Sequence, residues 1–184
     1  MDHFYKNIRG WFTAIDLYKF MVNNCPNNSC FVEIGAFLGC STAFMAVEII
    51  NSGKIIKFDV VDTWEGSPDL MNEEVIVKGI LYDEFIRNMI PVRDFINPIR
   101  MTSEEASKLY ENNSLEFVYI DGNHEYEAFS LDVRCWFPKV KYGGYIGGHD
   151  FNYNSVKRGV EEYFLNLNCE KLEFEEVSWL YKKL

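Results

Sequence analysis

Asp121 and His124 follow the apolar run 115–120, and Asp150 follows the glycine-softened run 145–148. If these runs are neighbouring parallel strands, their ends lie about 4.8 Å apart. Two carboxylates on such ends can meet at one cation, and oxygen ligands select Mg²⁺, Ca²⁺ or Mn²⁺ over zinc. Asn152 and His149 stand close enough in sequence to complete the shell. His149 directly precedes Asp150, so strand alternation turns it to the opposite face unless the strand has already ended. His124 is the side chain best suited to take a proton near neutrality, with an unperturbed pKa near about 6.5. A plainer reading makes His124 a helix cap, one aspartate another cap, and the other aspartate a solvated group.

A second stretch, Phe31-Val-Glu-Ile-Gly-Ala-Phe-Leu-Gly-Cys-Ser-Thr42, reads as strand, glycine turn and helix. Gly35 and Gly39 let the backbone bend and a ligand approach it. The helix opening near Ser41 presents unpaired N–H groups and a positive dipole end. The spacing is E-x-G-x-x-x-G, unlike the G-x-G-x-x-G that cradles a pyrophosphate. Glu33 sits two residues before the turn and suits a cationic ligand; S-adenosylmethionine carries an ammonium and a sulfonium. Asp62 ends the next apolar run, 23 residues after Gly39, where a doubly wound sheet holds a nucleoside's ribose hydroxyls. Asp59 is its rival, but it lies mid-strand.

The chain has 184 residues, a 48% hydrophobic share and a net charge of −10, which fits one globular domain, 1–184, with a helical cap over 1–28. The charge argues against nucleic acid as a partner. No apolar run nears the roughly 20 residues that span a bilayer, and the first residues lack a signal peptide's apolar core. Five cysteines without C-x-x-C spacing read as reduced thiols, which fits the cytoplasm.

Periodicity and breakers predict helices over 11–22, 41–51, 72–90, 102–112, 125–137 and 153–166. They predict strands over 30–34, 54–62, 96–101, 115–120 and 145–148, with 141–144 as a turn and a closing hairpin near 170–175 and 178–183. Alternating strands and helices imply an α/β fold with a doubly wound, mostly parallel sheet, helices on both faces and an antiparallel C-terminal edge. Gly35, Asp62, Asp121, His124 and Asp150 then share the carboxyl rim. The short N-terminal stretch offers little with which to build a lid, a part that a homo-oligomer could supply. Tyr142 and the loop 64–68 face either an acceptor or solvent. Lys139, Lys141, Lys157 and Arg158 form the one basic cluster near the rim.

Four blocks together, Val32-Glu-Ile-Gly35 through Gly39-x-Ser-Thr42, Val60-Val-Asp-Thr-Trp-Glu-Gly66, Val118 to Tyr126 and Gly143 to Phe151, resemble the class I S-adenosylmethionine-dependent methyltransferases. They look most like the small-molecule branch that methylates macrolide and aminocoumarin sugars. The resemblance covers roughly residues 28–165. It implies a Rossmann-like seven-stranded sheet and methyl transfer from S-adenosylmethionine to a hydroxyl of a sugar, glycan or similar small molecule. Glu33 and Gly35 would border the methionine part, Asp62 the ribose, and Ser103 and Glu104 the adenine. Asp121 would touch the cofactor and serve catalysis as a metal ligand beside Asp150 and Asn152, with Mg²⁺ before Mn²⁺, and His124 would be the base. Many relatives carry two adjacent acids where this chain has His149-Asp150. A cofactor-binding domain without catalysis, or a methyltransferase for phenols, amines or carboxylates, is the alternative reading.

Overall fold

The computed structural model describes residues 1–174 and 177–184, with Asp69 described by its backbone alone. In chain order the elements are α1 (Ile15–Asn24), β1 (Ser29–Ile34), α2 (Cys40–Ser52), β2 (Ile56–Asp62), α3 (Glu74–Val77), α4 (Leu81–Met89) and β3 (Asn97–Arg100). There follow α5 (Ser103–Ser107), β4 (Leu115–Ile120), α6 (Tyr126–Trp136), β5 (Val140–Gly148), α7 (Asn154–Phe164), β6 (Cys169–Leu172) and β7 (Trp179–Lys183). The seven strands form one sheet in the order β3-β2-β1-β4-β5-β7-β6. All pairs from β3 to β5 are parallel, and β7 is antiparallel to both β5 and β6. This is the doubly wound sheet with an antiparallel edge that the sequence implies. Residue 175 of the expected hairpin lies outside the described residues.

Strand alternation divides the core in two. Phe31, Val60, Phe117 and Tyr119 face the layer of α1, α2 and α4. Val32, Ile34, Val118 and Ile120 face the layer of α6 and α7. Each such side chain stabilises the fold by about 1.5–3 kcal/mol when fully buried. Helix α2 is apolar on nearly every side, from Cys40 to Ile49, because sheet and helices enclose it.

Three departures from the expected elements have local causes. The helix expected over 72–90 is split at Gly79, whose φ of +66° ends α3 before α4 begins. The expected turn 141–144 is part of β5, where the register slips between Leu115 and Phe117 and the strand bulges. The helix expected from residue 11 begins only at Ile15, so residues 11–14 run outside it.

Candidate functional site

Gly35 closes the first turn with φ +86°, and a Cβ there would stand 2.0 Å from the Asp121 carbonyl oxygen. Only glycine lets the end of β1 pass so close to the end of β4. Gly39 serves packing instead. Its φ is +90°, and a Cβ would meet Met89 at 2.6 Å and Phe85 at 3.1 Å. The close approach at Gly39 is made by α4.

Asp62 ends β2 and clasps this turn. Its Oδ2 accepts from the N–H of Ala36 at 2.8 Å and of Phe37 at 3.0 Å, and its Oδ1 accepts from the N–H of Trp64 at 2.8 Å. Phe37 and Trp64 are both left-handed, with φ of 49° and 52°, a conformation that non-glycine residues hold only under local constraint. The Trp64 indole adds a bond to the Phe37 carbonyl at 3.1 Å. A carboxylate has about four acceptor sites, so Asp62 can take one further donor without releasing an N–H. Asp59 is engaged otherwise. It is buried and accepts from Lys57, Asn97 and Tyr110.

Glu33 does not reach the ligand space. Strand alternation turns it toward α1 and α2, where it is 1% exposed. It accepts from the Tyr18 hydroxyl at 2.9 Å and the Thr42 hydroxyl at 2.5 Å. Burial pushes its carboxyl up to about 7, against the hydrogen bonds from Ser41, Thr42 and Tyr18. It braces the turn from behind.

The second cluster stands across the cleft, at the ends of β4 and β5. Asp150 has left the strand, with φ 60°. Its Oδ2 lies 2.8 Å from His124 Nε2 and its Oδ1 3.2 Å from His149 Nδ1. Because the strand has already ended at Gly148, the exception to alternation applies, and His149 sits on the same side as Asp150. His149 Nε2 continues the chain to the Thr13 hydroxyl at 2.8 Å. Burial raises the Asp121 carboxyl to about 6; Asp150 adds to this, while His149 and His124 oppose it. Burial works against ionisation of Asp150 too, but the bonds from both histidines hold its carboxyl well below the usual range. Burial lowers the His149 imidazole, and its bond to Asp150 with the charge of Asp121 outweighs that and raises it.

Asp121, His124 and Asp150 each offer a ligand atom, all within 4.8 Å of one another. Two acidic side chains in contact repel when both are ionised, which a cation between them relieves. The donor set therefore fits a divalent ion. His124, rather than His149, is the third residue of this set, and Asn152 stands exposed at the rim of the same cleft.

One cleft of about 980 Å³ joins the two clusters. It is lined by Gly35, Ser41, Asp62, Ser103, Glu104 and Asp121 of the expected cofactor residues, and by His124, Asp150 and Asn152. Gly66, Ser67 and Pro68 of the expected acceptor loop line it, whereas Trp64 is buried. Tyr142 lies at the other end of β5, beneath the Lys183 ammonium. The four basic residues expected near the rim do not line the cleft. Lys141 pairs with Glu116, Arg158 with Glu162, and Lys157 lies over Phe151.

The sequence reading missed two parts of this wall. Gly10, Trp11 and Thr13 line the cleft, with Trp11 69% exposed and stacked on Phe37 at 6.2 Å. The stretch that promised no lid thus forms a side of the site. Trp11 opens the apolar period from which the helix over 11–22 is predicted, so the pattern assigns it to the core; the helix starts at Ile15 and leaves it on the cleft. The other omission is Asp132, which looks from sequence like the polar side of a helix.

Over residues 32–151 the sequence matches the family described as "Methyltransferase domain". It is 24% identical over 139 residues to the uncharacterized protein y4gI of Sinorhizobium fredii (strain NBRC 101917 / NGR234), covering 74% of this chain and 14% of that protein. The chain therefore spans about a seventh of the length of that curated relative. The backbone is similar to that of the O-methyltransferase NovP, with TM-score 0.69 and 18% identity over 92% of this chain and 78% of that one. It is also similar to CalS11, a TDP-rhamnose 3'-O-methyltransferase, with TM-score 0.61 and 12% identity over 92% of this chain and 76% of that one. At such identities the likeness is one of fold.

Proposed function

The chain belongs to the methyltransferase-domain family, and from that premise we propose that it moves the methyl group of S-adenosylmethionine to a hydroxyl of a sugar, glycan or similar small molecule. The observation that carries this reading is the single cleft that joins the Asp62-clasped turn to the Asp121–His124–Asp150 cluster. The first cluster is suited to the nucleoside and methionine parts of the cofactor. The second is suited to an acceptor hydroxyl. The sugar class is favoured by the resemblance to NovP and CalS11, and the net charge of −10 disfavours nucleic acid.

His124 is the proposed base. Its Nε2 lies 2.8 Å from Asp150 Oδ2, so the carboxylate stabilises the imidazolium that forms when His124 takes the acceptor's proton. Asp121 and Asp150 would hold a divalent ion, Mg²⁺ before Mn²⁺, beside that imidazole. Bound there, the ion lends Lewis acidity to the acceptor hydroxyl. The turn at Gly35 and the wall at Thr13 fix where cofactor and acceptor lie, and such alignment supplies much of the rate in a displacement.

The test is calorimetry with S-adenosylmethionine, then turnover on a panel of deoxysugar nucleotides with and without EDTA. Micromolar binding and EDTA-sensitive methylation are expected. No binding of S-adenosylmethionine sinks the reading, and full activity in EDTA removes the ion from it.

A further inference from the structure

Thr13 does more at the cleft than form its wall. It stands just ahead of α1, and its place there is fixed. The Ile15 N–H donates to its carbonyl at 2.8 Å, the next residue, Ala14, is fully buried, and α1 sinks Leu17, Tyr18, Met21 and Val22 into the first core layer. The main chain of His149 is fixed as well. Its N–H donates to the Ile120 carbonyl at 3.2 Å, and its carbonyl accepts from Trp179 Nε1 at 3.2 Å. What the main chain leaves open is the rotation of the imidazole. A contact at each ring nitrogen closes it, with Nδ1 at 3.2 Å from Asp150 Oδ1 and Nε2 at 2.8 Å from the Thr13 hydroxyl.

Asp150 needs such a brace. It is a non-glycine residue at φ 60°, past the end of β5, so the sheet does not set where its carboxylate points. Imidazoles do, His124 at Oδ2 and His149 at Oδ1. A threonine hydroxyl both donates and accepts, so it holds Nε2 of His149 whether that nitrogen carries a lone pair or a proton. An ammonium could hold only the lone pair, and a carboxylate only the N–H. We infer that Thr13 is a positioning residue of the proposed reaction: from the N-terminal segment it locks the His149 ring, and through that ring the Asp150 carboxylate beside His124. The inference rests on the proposed methyl transfer and goes beyond it, because it makes a residue ahead of α1 part of the reacting cluster.

The test uses the full chain with Thr13→Val, which keeps the volume and branching of an exposed residue but deletes its hydroxyl, and Thr13→Ser, which keeps the hydroxyl. The chain has three histidines, His3, His124 and His149, so their ring nitrogens can be followed by long-range nitrogen–proton NMR without any ion or acceptor. In Thr13→Val the His149 and His124 signals should move, while those of His3, which bonds Glu48 instead, stay in place. Thr13→Ser should match the wild type. With the deoxysugar nucleotide that the wild type methylates fastest, kcat should fall about 3- to 10-fold in Thr13→Val and return in Thr13→Ser, with KM for S-adenosylmethionine within about twofold of wild type. In a His149→Ala background, Thr13→Val should lower kcat no further. Unmoved His149 signals, an unchanged kcat, or the same loss of kcat with and without His149 each overturn the inference. A wild type that methylates no member of the panel fails the proposed function instead, and unmoved His149 signals would still overturn the role of Thr13.

Discussion

Asp62 ends β2 and Asp150 follows the end of β5, parallel strands of one sheet, and both line one cleft, yet they are held in opposite ways. Asp62 is fixed by three backbone N–H groups, from Ala36, Phe37 and Trp64. Asp150 is held by two imidazoles, His124 and His149, and touches a third titratable group, Asp121. Backbone donors neither titrate nor swing away, so the Asp62 side is set before any ligand arrives. Side-chain partners change charge and rotamer, so the Asp150 side can exchange protons and take up an ion. Under the proposed function the half that would bind the cofactor is rigid and the half that would react is adjustable, a division that suits tight cofactor placement beside proton transfer.

The largest effect should come from breaking the joint between the halves. Gly35→Ala sets a methyl group 2.0 Å from the Asp121 carbonyl at φ +86°. Loss of about 3 kcal/mol or more of folding stability is expected in urea melts, and near-normal stability would mean the two turns are not coupled. Next is Asp150→Ala, which removes the partner of both imidazoles. Turnover should drop on the order of 10²-fold or more, while calorimetry finds S-adenosylhomocysteine bound within about threefold of wild type. Equal loss of binding would erase the division into halves.

Asp62→Ala should do the reverse. It leaves three N–H groups without their acceptor and costs cofactor affinity by roughly 1–3 kcal/mol, with turnover at saturation less affected. His149→Ala should lower turnover by about tenfold, since Asp150 then loses one of its two imidazole bonds but keeps the other. Wild-type activity in that variant would sharpen the comparison by assigning the reacting half to His124 alone.

The smallest effect on ligand binding is expected from Glu33→Gln, behind the turn. Its consequence is for stability and pH. The folded carboxyl is raised to about 7 from the ordinary 4.5. The folded state therefore keeps a proton that the unfolded chain releases, and stability falls as pH rises from about 4.5 to about 7. Glu33→Gln removes that share of the slope, so its stability relative to wild type should improve across this window and level off above it. Urea denaturation at a series of pH values reads the difference, and parallel curves would show that Glu33 titrates normally.

Much of this was legible in the chain because it is local. Short, nearly continuous apolar runs wrote the central strands β1, β2 and β4, and a glycine or an acid at the end of each wrote the carboxyl rim. Gly35, Asp62, Asp121, His124 and Asp150 could all be named without a fold, since the element ends that carry them are set by neighbouring residues. Direction was harder. Glu33 faces the helices rather than the cleft because one step along a strand reverses a side chain, while His149 joins Asp150 because the strand stops one residue earlier.

The sequence by itself determined the order of strands and helices and the residues at their ends, since backbone propensity and apolar period act over a few residues. Only the tertiary structure decided what meets across long separations. It brought Thr13 to His149 over 136 residues, laid Trp11 on Phe37 and sank Asp132 beneath Ser103 in the cleft. Those pairings depend on how two core layers pack on one twisted sheet, and no short-range pattern encodes that.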